Sequence, residues 1–146
     1  CVVISMKKIV IGGCRDYNDY TVFKEFVDSC ISRLKQEHSL TIVSGHCSGV
    51  DMMGERYAKE NGLGLEIFPA DWEKYGRAAG PIRNKQMVEV SDYVIAFWDQ
   101  KSRGTKSLIA YAKELHGMSI KYMFYLCQIQ ILLLLLKKEH QKFLLA

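Results

Sequence analysis

The sequence predicts one α/β domain built on a doubly wound parallel sheet of about five strands, and three observations predict it. Short apolar runs rich in β-branched residues alternate with longer segments of helical spacing. The first four runs each lead into a polar segment holding glycine or proline. The chain of 146 residues is long enough for one core, and no repeat or linker divides it.

The elements follow in order. Residues 9–11 form the first strand and end in Gly12 and Gly13. Residues 20–38 place Val22, Phe23, Phe26, Val27, Cys30, Ile31 and Leu34 at helical intervals. Residues 40–43 are a second buried strand, ending at Ser44 and Gly45. Residues 52–61 read as a helix with Asp51 as N-cap and Gly62 as stop signal. Residues 65–68 are the third strand, closed by Pro69, and residues 71–80 are a polar loop. Pro81 then falls in the first turn of a helix over residues 82–90, where its missing N–H is tolerated. Residues 93–98 make the fourth strand, 106–116 a helix stopped by Gly117, and 120–125 the fifth strand. Strands alternating with helices require a sheet covered on both faces, a Rossmann-like arrangement whose ligand lies beyond the carboxyl ends of the strands. The loops after strands one to four therefore converge on one edge.

Charge is unevenly spread. Residues 1–117 carry 16 Lys and Arg against 15 Asp and Glu, a balance of +1, and residues 118–146 carry four against one, a balance of +3. A near-neutral body argues against a general nucleic-acid binder. Five cysteines without a CxxC pair give neither metal spacing nor a disulfide framework, so reduced thiols in a cytoplasmic protein are expected. No signal peptide is read at the N-terminus, and residues 1–5 are set aside as extraneous, with Met6 as the natural start. The folded domain is placed at residues 6–126 and an apolar, basic tail at 127–146. Residues 129–136 are apolar on nearly every side of a helix, which calls for burial, an oligomer interface or lipid. Lys121, Gln128 and Gln130 interrupt a membrane span, so a homodimer or higher oligomer is expected instead.

The converging segments carry the chemistry. Gly12, Gly13, Arg15 and Asp16 form a turn whose N–H groups and arginine suit a phosphate, although Arg15 and Asp16 equally suit a surface ion pair. The full GxGxxG fingerprint is absent, so dinucleotide binding of the usual kind is not supported and no cofactor or metal is identified. Ser44, Gly45, Ser48, Gly49 and Asp51 form a second nest over a helix start, with Asp51 both cap and acceptor for ligand hydroxyls. His46 reads as an exposed loop residue. Cys47, without a basic neighbour in sequence, reads as a structural thiol. Arg77, Gly80, Arg83 and Asn84 bring two guanidinium forks and a close-approach glycine beside a helix N-terminus. Trp72 and Tyr75 can stack on a base or cover the core. Ser102, Gly104 and Thr105 add another hydroxyl-and-glycine turn at a helix start.

Together these segments resemble the SLOG superfamily, in particular its YspA/YpsA-related (YAcAr) branch. The resemblance rests on residues 12–16, Ser44-Gly45, residues 48–51, Ala70-Asp71-Trp72, residues 76–84 and Gly104-Thr105, and it runs in order from about residue 7 to residue 117. It implies a Rossmann-like fold that binds a nucleotide or a nucleotide derivative. Two relatives imply alternatives. LOG-type phosphoribohydrolases cleave the base from nucleoside 5′-monophosphates with an arginine in MxxRK and a glutamate in GGxGTxxE. Arg83-Lys85 and Gly104-Thr105 resemble those elements, but the glutamate position is Leu108. DprA carries SGxAxGxD and RNR elements that resemble residues 44–51 and 83–85 and binds single-stranded DNA, which the neutral body disfavours. Ligand sensing or processing is therefore the first reading and hydrolysis the second, with Arg83 and Asp51 as catalytic candidates. DNA binding is third.

Overall fold

Alternation along β1 (Met6–Gly13) sets the architecture of the computed structural model, which describes residues 5–115, 117, 119–126 and 129–135. Ile9 and Ile11 face one way and pack with residues of α1 (Tyr20–Glu37) and α2 (Val50–Glu60). Val10 faces the other way, into a cluster with residues of α4 (Ala79–Val90) and α5 (Arg103–Leu115). A strand with large apolar side chains on both faces must be central and covered twice. Along α1, Phe23, Val27, Ile31 and Leu34 recur at helical spacing and are buried, each worth about 1.5–3 kcal/mol on that surface. Asp19 caps α1 by accepting the Val22 N–H at 3.1 Å.

The sheet has the order β3-β2-β1-β4-β6-β5. β2 (Ser39–Ser44), β3 (Gly64–Ile67) and β4 (Tyr93–Trp98) complete a four-stranded parallel part, with Ile9 opposite Ile42 and Ile11 opposite Ile95. The chain moves outward from β1 through β2 to β3, then crosses back to β4 on the far side of β1. That reversal opens a crevice at the carboxyl ends of β1 and β4.

Three expectations are corrected. The parallel part has four strands, not five. The predicted fifth strand is present as β5 (Ser119–Leu126), but β6 (Ile129–Leu135) lies between it and β4 and pairs antiparallel with both. The apolar run expected as a helix is that strand. A short apolar run fits a strand as well as a helix, and β5 and β6 lie too close in sequence to pair in parallel. An oligomer argued from an apolar helix loses that ground. Residues 136–146 and 1–4 lie outside the described residues; Ser5 accepts the Ser39 N–H at 3.0 Å. Finally, the segment expected as a loop contains a short helix, α3 (Trp72–Tyr75), and a 3-10 turn at Gly76–Ala78 before α4. Asp71 caps α3 through the Lys74 N–H at 3.0 Å, which explains why the chain coils there. Among the described residues no helix is long and apolar enough to cross a membrane.

Candidate functional site

A cleft of about 270 Å³ opens at the reversal point, with Gly12 and Gly13 of β1 at its floor. One wall comes from the β2–α2 loop. Gly49 (φ +79°) lets this loop lie on the β1 loop: a Cβ there would stand 2.4 Å from the Cys14 carbonyl oxygen and 2.5 Å from that of Arg15. Gly49 is the N-cap of α2, so the cap expected at Asp51 is not formed. Asp51 falls inside the first turn and lines the cleft, where its Oδ2 accepts the Cys47 N–H at 3.3 Å.

The opposite wall comes from α4 and α5. Arg83 is only 7% exposed, yet among the described residues it forms no ion pair with any carboxylate. Its Nη1 donates to the Gly45 carbonyl at 2.6 Å and its Nε to Asn84 Oδ1 at 3.0 Å. Its Nη2 reaches only the Cys47 sulfur, at 3.7 Å. Asn84 also donates from Nδ2 to the Gly104 carbonyl at 3.0 Å, tying the guanidinium to the start of α5. Asp99 Oδ1 accepts the Lys101 and Ser102 N–H groups at 2.9 and 2.7 Å, and Ser102 Oγ accepts the Thr105 N–H at 3.4 Å. These bonds open a helix whose N-terminal end faces the cleft beside a buried cation, a combination that attracts anions.

Among the described residues Asp51 supplies the one carboxylate lining this cleft. Burial raises its pKa from the ordinary carboxylate range to about 6; the Cys47 N–H, the Arg83 charge and the Gly13 N–H only partly oppose that rise. A buried group of that pKa can accept from ligand hydroxyls or exchange a proton near neutrality.

Of the residues singled out in sequence, Gly12, Gly13, Arg15, Asp51, Arg83 and Asn84 meet here, with Ser102, Gly104 and Thr105 at the α5 end. Others do not line the cleft. Ser44 is buried, and its hydroxyl donates to Glu55 Oε2 at 2.9 Å while accepting the His46 N–H at 3.1 Å. Gly45 lies behind the cleft, where a Cβ would meet Arg83 Nη1 at 2.5 Å and Asp51 Oδ2 at 2.9 Å. Gly49 supports the loop, while Asp16 and Ser48 are exposed. Arg77 is exposed in the 3-10 turn, and Gly80 faces Trp72. Trp72 and Tyr75 are 51% and 41% exposed on α3, outside the cleft lining.

Ligand atoms of Cys14, Asp16 and Asp99 lie within 4.8 Å of one another. Two of the three are already engaged: Asp99 holds two backbone donors, and the Cys14 thiol, its pKa raised chiefly by burial, donates to the Phe97 carbonyl at 3.5 Å.

Four lining residues were not assigned to the site in sequence: Met87 and Arg103 went unremarked, Cys47 was read as a structural thiol, and Leu108 was noted only for standing at the glutamate position. Met87 and Leu108 lie four residues beyond Arg83 and Gly104, so helical spacing from the polar candidates signals them. The basic partner of Cys47 is Arg83, 36 residues away, which no local pattern reveals. Glu55, the buried partner of Ser44 and His46, was also missed; it carries no motif beyond its place one turn after Asp51.

The model of the YspA, cpYpsA-related SLOG family matches residues 7–75. The Gene 61 protein of Mycobacterium phage D29 is 30% identical over 115 residues, covering 75% of this chain and 90% of that protein. A solved structure of a methyltransferase from Pyrococcus furiosus aligns over 93% of this chain and 77% of its own, at 12% identity and a TM-score of 0.37.

Proposed function

The chain belongs to the YspA, cpYpsA-related SLOG family, and we propose that its cleft binds a nucleotide or nucleotide-derived small ligand. Arg83 carries the reading: a guanidinium this buried normally has a carboxylate partner, and this one forms no ion pair among the described residues. A ligand anion would balance it, held between Arg83 and the start of α5. Asp51, close enough for the Arg83 charge to act on it, suits sugar hydroxyls, and Met87 and Leu108 offer apolar surface. At about 270 Å³ the cleft lies just below the usual range of ligand sites, roughly 300–1,000 Å³, which favours a ligand no larger than a mononucleotide.

The test is thermal unfolding with AMP and with adenosine at equal concentration. AMP should stabilise the protein and adenosine should do so much less. Equal shifts would remove phosphate from the account.

One observation favours hydrolysis as a second reading. Leu108, where LOG-type enzymes carry their glutamate, lies against Gly12, and a Cβ at Gly12 would stand 3.0 Å from Leu108 Cδ2 and 3.6 Å from Asp51 Oδ1. Asp51 thus brings a carboxylate to the same floor, with a pKa of about 6 suited to acid–base work. Free base released from AMP at about 1 per second or faster, and lost in Asp51→Asn, would make hydrolysis primary.

A further inference from the structure

Three cysteines among the described residues are free: Cys14, Cys30 and Cys47. Burial raises the Cys14 thiol, and it raises Cys30 to about 11. Cys47 differs in place and company. It lines the cleft, and its sulfur lies 3.8 and 3.7 Å from Nη1 and Nη2 of Arg83. Arg83 itself is nine-tenths buried without an ion pair among the described residues; Gly45 and Asn84 accept from its Nη1 and Nε, while among those residues its Nη2 meets sulfur and no oxygen acceptor.

We propose that Cys47 is an oxidation site whose product closes the cleft to anions. The co-reactant is a peroxide. The sulfur attacks one peroxide oxygen, an S–O bond forms and the O–O bond breaks, and the thiol proton passes to the departing oxygen to give water or an alcohol. Sulfur gives up two electrons and the peroxide gains them, leaving a sulfenic acid. The guanidinium stabilises negative charge that develops on sulfur during attack. It then finds in the added oxygen the acceptor that Nη2 lacks, so the product occupies the place of the ligand anion. The closing role rests on the anion-binding reading of the same cleft.

The test treats the folded protein with dilute hydrogen peroxide and a sulfenic-acid trap, and follows each cysteine peptide by mass spectrometry. Cys47 should be trapped at least about tenfold faster than Cys14 or Cys30. Arg83→Met should slow Cys47 alone, with Arg83→Lys retaining part of the rate and covering a failure of the first variant to fold. Saturating inorganic phosphate should protect Cys47 alone, and peroxide should abolish the thermal shift given by phosphate until dithiothreitol restores it. Equal trapping at Cys14 or Cys30, or a Cys47 rate indifferent to both Arg83 variants, would overturn the oxidation site. Selective, Arg83-dependent trapping with a phosphate shift that survives peroxide would keep that site and overturn its closing role alone; if neither phosphate protection nor a shift by AMP beyond adenosine is seen, the anion-binding reading falls as well.

Discussion

Two buried polar clusters hang from the same loop, and they are opposites. In the first, Glu55 is 3% exposed and receives Ser44 Oγ at 2.9 Å and His46 Nδ1 at 2.9 Å. In the second, Arg83 is 7% exposed and forms no ion pair among the described residues, while Asp51, 6% exposed, keeps a carboxylate that burial disfavours as an anion. In the first cluster the carboxylate is held by two close side-chain donors; in the second the guanidinium is hydrogen-bonded to Gly45, Asn84 and Cys47 but has no ion pair among the described residues. Buried groups bonded to one another hold a loop in shape. A buried charge without an ion pair costs stability and persists where a ligand completes it.

The largest expected effect breaks the first cluster. Glu55→Ala strands the Ser44 hydroxyl and frees His46, a residue held at φ +59°. It should lower the unfolding free energy by about 3 kcal/mol in urea titration. A loss within experimental error would show that Glu55 is not what fixes the loop.

Asp51→Asn acts in the opposite direction. The folded-state pKa of about 6 lies above the unfolded value of 3.8, so folding favours the protonated acid. For this group stability is fullest below about pH 4, falls as pH rises through 6, and stays lower above it. The substitution should therefore raise stability at pH 7 by on the order of 2 kcal/mol and flatten the dependence between pH 4 and 6. Unchanged pH curves would place the carboxylate's ionisation outside the energetics of folding.

A smaller effect on stability than that of Glu55→Ala, and a sharper one on function, should come from Gly45→Ala. The added methyl meets Arg83 Nη1 at 2.5 Å and Cζ at 2.8 Å, so the guanidinium must move. A cost of about 1–2 kcal/mol is expected, with loss of the preference for AMP over adenosine. Retained preference would mean that phosphate is held without Arg83 in its present place.

Most of the parallel scaffold was legible because apolar runs and turn residues report local structure directly. Gly12, Gly49 and Gly104 marked where strands end and helices start, and the reversal of strand order brought their loops together. What was not legible depended on pairing. Whether residues 129–135 coil or extend is decided by β4 and β5 on either side, not by the run itself. Asp51 looked like a cap because the residue type and position fit one; only the packing of Gly49 on the Cys14 and Arg15 carbonyls moved the helix start two residues earlier. Likewise Arg83 was visible as a phosphate candidate, but its burial without an ion pair among the described residues and its contact with Cys47 belong to the folded chain alone.

The central claim is that Arg83 is kept for a ligand and not for the fold. Equilibrium unfolding of Arg83→Met with and without AMP tests it most directly. An apolar side chain of similar reach should leave stability without ligand within about 1 kcal/mol of the parent, or raise it. The stabilisation that AMP gives beyond adenosine, about 1.5–3 kcal/mol for a charge-assisted contact at saturation, should disappear. A variant destabilised by several kcal/mol that still distinguishes AMP from adenosine would contradict the account.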